Sequence, residues 1–134
     1  MSAILAEFDG LQAALTDRVI KVFYEVANEL GYGFFESVYR KSMAIALRQI
    51  GLSVEEEVPI PVSFRSHPVG VFFADIVVEN VLVLELKTAE DVTKAMEGQM
   101  THYLRSTEIE VGLILAFGER AKFRRVIFTN NRKR

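Results

Sequence analysis

The chain of 134 residues has no cysteine, no long hydrophobic run and almost no net charge. Without cysteine there is no disulfide framework, no Cys-ligated zinc site and no cysteine nucleophile. No apolar stretch approaches the ~18–20 residues that span a bilayer, so no membrane partner is expected. The first ten residues, MSAILAEFDG, carry two acids and no basic stretch, which is not the pattern of a signal peptide. The compartment is taken by default as cytoplasmic. Half of the residues are apolar and the formal charge is only −2, which excludes global disorder. The length fits a single domain over 1–134. Residues 1–15 form an N-terminal extension of the first helix or a short helix of their own, and 130–134 form a basic tail. No repeat, linker or low-complexity segment interrupts the chain.

Charge is unevenly placed. All 18 acids precede residue 120, whereas Arg120, Lys122, Arg124, Arg125, Arg132, Lys133 and Arg134 crowd the C-terminal end. A basic end of this kind binds nucleic-acid backbone, with Arg120, Lys122, Arg124 and Arg125 as the candidates. A solvated, frayed tail accounts for the composition equally well.

Periodicity supplies the elements. Val19, Val22, Phe23, Val26 and Leu30 recur at helical spacing over 16–30, with Thr16 or Asp17 as cap and Gly31 as stop. A second helix is predicted over 34–50. Leu52 to Val58 alternates, and Pro59 and Pro61 mark that strand as an edge or as bent. Arg65 to Pro68 reads as a turn. Residues 69–78 and 81–87 read as a hairpin around Glu79-Asn80. A third helix follows over 91–106, capped by Asp91. The nearly all-apolar 110–117 reads as a strand buried on both faces, and 123–128 as a last strand. The order predicts an α/β fold, a mixed central sheet flanked by helices. The ten Phe residues read mostly as core, with no interleaved basic–aromatic pattern of single-strand binding. Glu55-Glu56-Glu57 reads as a solvated stretch of strand.

The strand 81–87 is anomalous. Val81, Val83, Glu85 and Lys87 share one face of a strand that should be dry, and Asp75 sits among Phe72, Phe73, Ile76 and Val77. Buried charge is costly unless paired or bound to metal. In an antiparallel hairpin, facing residues have a constant positional sum. Asp75 and Glu85 meet only if the loop holds an odd number of residues, as Glu79-Asn80-Val81 does, or if a bulge shifts the register. A two-residue loop would separate them. If they converge, two hard oxygen ligands suit Mg²⁺ or Mn²⁺, with a lysine at hand for a metal-bound water or a phosphate. A buried ion pair without catalysis explains the same three residues, and on those residues alone it is slightly favoured.

A wider pattern shifts the balance. Gly33-Phe34-Phe35-Glu36-Ser37-Val38-Tyr39 resembles the motif of the GxxExxY protein family. Asp75 followed by Glu85-Leu86-Lys87 resembles the core of the restriction-endonuclease-like PD-(D/E)xK nuclease superfamily. Gln99-Met100-Thr101-His102-Tyr103 resembles the QxxxY helix motif of its exonuclease-type branch. The resemblance extends from about residue 16 to 130. It implies a restriction-endonuclease-like core and a metal site at the edge of the central hairpin. Asp75 and Glu85 would be metal ligands, helped by the Leu86 carbonyl. Glu36 would be a further ligand or a partner of metal-bound water, and Lys87 would activate the attacking water. Gln99 and Tyr103 would position Lys87 or a phosphate. The implied function is Mg²⁺-dependent (or Mn²⁺-dependent) hydrolysis of nucleic-acid phosphodiesters. The alternative is a catalytically inactive module that keeps the fold for nucleic-acid or protein contacts. A symmetric homodimer is one assembly that a domain this small favours.

Overall fold

The computed structural model describes residues 11–133, so the readings of residues 1–10 and of Arg134 lie outside the described residues. Two helices come first, α1 (Ala13–Leu30) and α2 (Glu36–Gln49). Strands β1 (Val54–Phe64), β2 (His67–Val78) and β3 (Leu82–Lys87) follow. After α3 (Lys94–Arg105) come β4 (Val111–Phe117) and β5 (Ala121–Ile127). The spatial order is β1-β2-β3-β4-β5. Only β3 and β4 are parallel, because only they are joined by a crossover helix, α3. This is the expected α/β arrangement, a mixed sheet with helices on both faces.

The two faces have separate cores. On one, Val19 and Phe23 of α1 and Tyr39, Met43 and Leu47 of α2 pack on Ile76, Leu84, Leu86, Leu113 and Leu115. On the other, Met100 and Leu104 of α3 pack on Val77, Val83 and Ile114. The central β4 serves both, so all seven of its residues are buried, as its unbroken apolar run predicts.

Several boundaries differ from the sequence reading. Helix α1 starts at Ala13, and Thr16 is buried within it instead of capping it. Helix α3 starts at Lys94. Its cap is Thr93, whose hydroxyl accepts the Met96 N–H at 3.2 Å, while Asp91 pairs with Lys122. Strand β1 runs unbroken through Pro59 and Pro61, since an edge strand can lose ladder donors on its open side. The turn before β2 is Arg65-Ser66, both at positive φ, and His67 already pairs with Phe64. Residues Asn130–Lys133 form a 3-10 turn that is docked, with Lys133 Nζ donating to the Thr107 and Ile109 carbonyls, both at 2.8 Å.

The β1–β2 ribbon turns over partway along. Val54 and Val78 belong to the α1/α2 core, whereas Ile60 and Ala74 belong to the α3 core. Yet all four have the same parity in one continuous register. The change falls at Glu57, whose φ of +50° is left-handed, and at Asp75 opposite it. The pairs Glu56–Ile76 and Val58–Ala74 form on either side, but Glu57 and Asp75 do not pair.

Candidate active site

The central hairpin places the carboxylates. Val81 N–H donates to the Val78 carbonyl around Glu79 and Asn80, both at positive φ, and Val81 is the extra loop residue. The odd loop that the parity argument required is therefore present. Pairs Val78–Leu82, Val77–Val83 and Ile76–Leu84 follow, and the ladder then stops. The next facing positions are Asp75 and Glu85, whose side chains replace the missing ladder bonds. Asp75 Oδ2 accepts the Leu86 N–H at 2.7 Å, and Glu85 Oε1 accepts the Asp75 N–H at 3.3 Å. Lys87 follows on the face of Glu85, half-buried at the end of β3.

Electrostatics record the crowding. Burial pushes the Glu85 carboxyl up to about 8, with Asp75 beside it adding to the rise. Burial also raises Asp75, against the opposing effect of its bond from the Leu86 N–H. Glu36 is raised by burial and then by the neighbouring Asp75 carboxylate. The Lys87 charge lowers all three. The structure thus brings Glu36, Asp75, Glu85 and Lys87 into one cluster.

Helix α2 delivers Glu36 because the loop before it is pinned. Gly31 and Gly33 take positive φ. The Tyr39 hydroxyl donates to the Gly31 carbonyl at 2.6 Å and accepts the Phe34 N–H at 3.3 Å. The Tyr39 ring stacks on Phe117, 4.2 Å between centroids. Tyr39 is therefore a support for the turn that starts α2 at Glu36. One helical turn on, Arg40 was not anticipated. Its guanidinium meets Glu57 at 2.8 Å and Glu56 at 3.6 Å, and its charge is felt by Glu36 and Asp75. Glu56 and Glu57 are thus ion-paired beside the cluster rather than simply solvated. The i, i+4 spacing of Glu36 and Arg40 was the available signal.

The remaining candidates divide. Burial, then the charges of Glu85 and Asp75, push the Tyr103 hydroxyl up to about 12, which places it within their reach. Its ring stacks on Phe72 with centroids 3.6 Å apart. The Gln99 side chain is exposed and makes no hydrogen bond to a described residue. On β5, Lys122 lies across Ala116 from Lys87, and Arg124 lies across Ile114 from Glu85. Each is about 10 Å away, two strand spacings. Arg120 is exposed in the turn before β5. Arg125 alternates to the opposite face, where its guanidinium donates to the Leu11 carbonyl at 2.5 Å. That removes it from the basic group expected around the site. The Phe residues are not mostly core: Phe34, Phe35, Phe64, Phe73 and Phe123 are exposed.

The side-chain donors are all carboxylate oxygens, the chemistry of a hard divalent cation. Asp75 and Glu85 each commit one oxygen to a backbone N–H, which fixes their orientation and leaves the other oxygen available. Three acids raised together mark a site short of positive charge. Among the described residues no three His, Asp or Glu side chains already stand in ligand geometry. The residues fit a hard cation chemically.

A family model described as the PD-(D/E)XK nuclease superfamily matches residues 13–126. The solved crystal structure of SSO0001 is similar over 94% of this chain, with a TM-score of 0.54 and 16% sequence identity. That likeness shows the fold alone, and this chain spans 61% of the length of that one. No curated protein matches.

Proposed function

We propose that this chain, which belongs to the PD-(D/E)XK nuclease superfamily, hydrolyses phosphodiester bonds of nucleic acid with Mg²⁺ or Mn²⁺. One observation carries the reading. Asp75 and Glu85 face each other where the β2–β3 ladder ends, and Lys87 is next on that face. Asp75 and Glu85 would hold the cation, joined by Glu36 and the Leu86 carbonyl. When bound, such a cation neutralises phosphate charge and acidifies a water. Lys87 directs its ammonium at the attacking water or at a phosphate oxygen. The Tyr103 hydroxyl keeps its proton at neutral pH and donates to the phosphate. Gln99, one turn before Tyr103 on α3, reaches the strand leaving the site. Arg120, just before β5, and Lys122 and Arg124 in its first half hold the backbone farther along.

A second reading, an inactive module for nucleic-acid or protein contacts, is favoured by the Glu36 carboxyl lying beside Asp75, which raises it, instead of standing apart as a separate ligand. One experiment separates them. Wild type, Asp75→Ala and Lys87→Met are incubated with labelled single- and double-stranded DNA and RNA in Mg²⁺, Mn²⁺ or chelator. The proposal expects metal-dependent cleavage, reduced at least ~100-fold in both variants. Salt-dependent binding without turnover supports the second reading instead.

A further inference from the structure

Three exposed rings are neighbours in sequence of the carboxylates. Phe34 and Phe35, 47% and 84% exposed, immediately precede Glu36, and Phe73, 57% exposed, is two residues before Asp75. Phe72 faces α3, where it stacks on Tyr103. Alternation therefore puts Phe73 on the other side of the ribbon, the side of the sheet on which α2 lies. Phe35 immediately precedes Glu36 at the start of α2, and Phe73 lies two residues before Asp75 on β2, so each ring is close along the chain to one of these carboxyls. Neither ring belongs to either core, so packing does not explain them. Exposed apolar groups gathered at a site mark binding. On the α3 side, a groove of about 480 Å³ opens between the ribbon and α3, lined by Val62, Phe72, His102, Tyr103, Arg105 and Ser106. Tyr103 joins this groove to the carboxylates. Arg105 supplies a cation, and His102 and Ser106 supply hydrogen-bonding groups. Its size is that of a small-ligand site.

Flat rings recognise bases only when the bases have left their helical stack, and such contacts tolerate any sequence. Resting on the nuclease reading, we propose that the substrate is an unpaired nucleic-acid strand. Its bases stack on Phe35 and Phe73 beside the carboxylates, and a flanking nucleotide enters the groove between the ribbon and α3. The ring pair gives the site its preference for strand form, and the cation of Arg105 holds the neighbouring phosphate.

The test measures binding of oligo-dT, an abasic strand of equal length and a duplex by fluorescence anisotropy in Mg²⁺, with strand cleavage followed on the same samples. Oligo-dT is expected to bind about tenfold tighter than the abasic strand, with the duplex weaker still. In Phe35→Ala/Phe73→Ala the two single strands should bind alike. Both rings are exposed, so this variant should fold, and an unchanged far-UV spectrum checks that. Equal binding of dT and abasic strands by the wild type, or an unaltered preference in the double variant, overturns the inference. If metal-dependent cleavage persists in that case, the nuclease reading survives. If neither cleavage nor binding occurs, both fall. A dimer dissolved by Phe73→Ala, with dT binding unchanged, overturns it too and assigns that ring to a second copy of the chain.

Discussion

Glu85 is a carboxylate 6% exposed in a central strand, and its proton is the most sensitive reporter of the site. In the unfolded chain it has its ordinary value of 4.5, and in the fold it is pushed up to about 8. Between those values the folded state keeps a proton that the unfolded chain has released. The Glu85 contribution to stability is therefore full below about pH 4.5 and lost as pH rises through 8. Urea melts of the metal-free protein from pH 5 to 9 should show stability falling across this window. Glu85→Gln should flatten the fall, because Gln Oε1 can still accept the Asp75 N–H while carrying no charge. The same variant should lose metal-dependent cleavage at every pH. At this scale the sequence was legible in Asp75, Glu85 and Lys87, since charges in apolar strands demand a reason. Parity reasoning set the condition for their meeting, and the loop Glu79-Asn80-Val81 meets it. Arg40 was legible only through its i, i+4 spacing from Glu36, because its partners Glu56 and Glu57 come from a strand whose placement over α2 no local pattern states.

Among the elements, the turnover of the β1–β2 ribbon at Glu57 and Asp75 matters most. Left-handed backbone at a non-glycine residue costs roughly 1–2 kcal/mol, and Arg40 holds Glu57 in place. Glu57→Gly should stay within about 1 kcal/mol of wild type, because glycine takes φ of +50° without strain and Arg40 keeps Glu56 as a partner when the exposed Glu57 carboxylate is lost. Glu57→Val should lose about 2 kcal/mol or more, since a β-branched residue resists that φ. Chemical denaturation of the two variants checks the contrast. The loop after β3 is held by a close approach as well. A Cβ on Gly118 would come within 2.6 Å of the Ala89 carbonyl. Backbone cannot yield as a flexible side chain can, so Gly118→Ala should destabilise by ~1–3 kcal/mol and lower cleavage by displacing the chain just beyond Lys87. Such features explain where sequence reading fell short. Strands and helices announced themselves through period 2 and period 3.6. A single left-handed Glu in an acidic run gives no such signal, and the parity rule applied across it would have assigned Ile60 and Ala74 to the wrong core.

For the whole molecule, the architecture follows from two apolar faces on one sheet, and the site lies where those faces end. Helix α2 brings Glu36 from one layer, α3 brings Tyr103 from the other, and the hairpin between them carries Asp75, Glu85 and Lys87. No helix among the described residues is long and apolar enough to cross a membrane. A cation that binds only the folded cluster stabilises the whole fold by mass action. Mn²⁺ should therefore raise the melting temperature of the wild type in a concentration-dependent way and leave Asp75→Ala unmoved. The central claim is that the crossed carboxylates at the end of the β2–β3 ladder form a divalent-cation site. Its most direct test is calorimetric titration of Mg²⁺ and Mn²⁺ into wild type, Asp75→Ala and Glu85→Ala, each in the presence of a single-stranded oligonucleotide. The account expects saturable binding by the wild type that disappears in both variants. No saturable binding by the wild type, or binding that survives both substitutions, would contradict it.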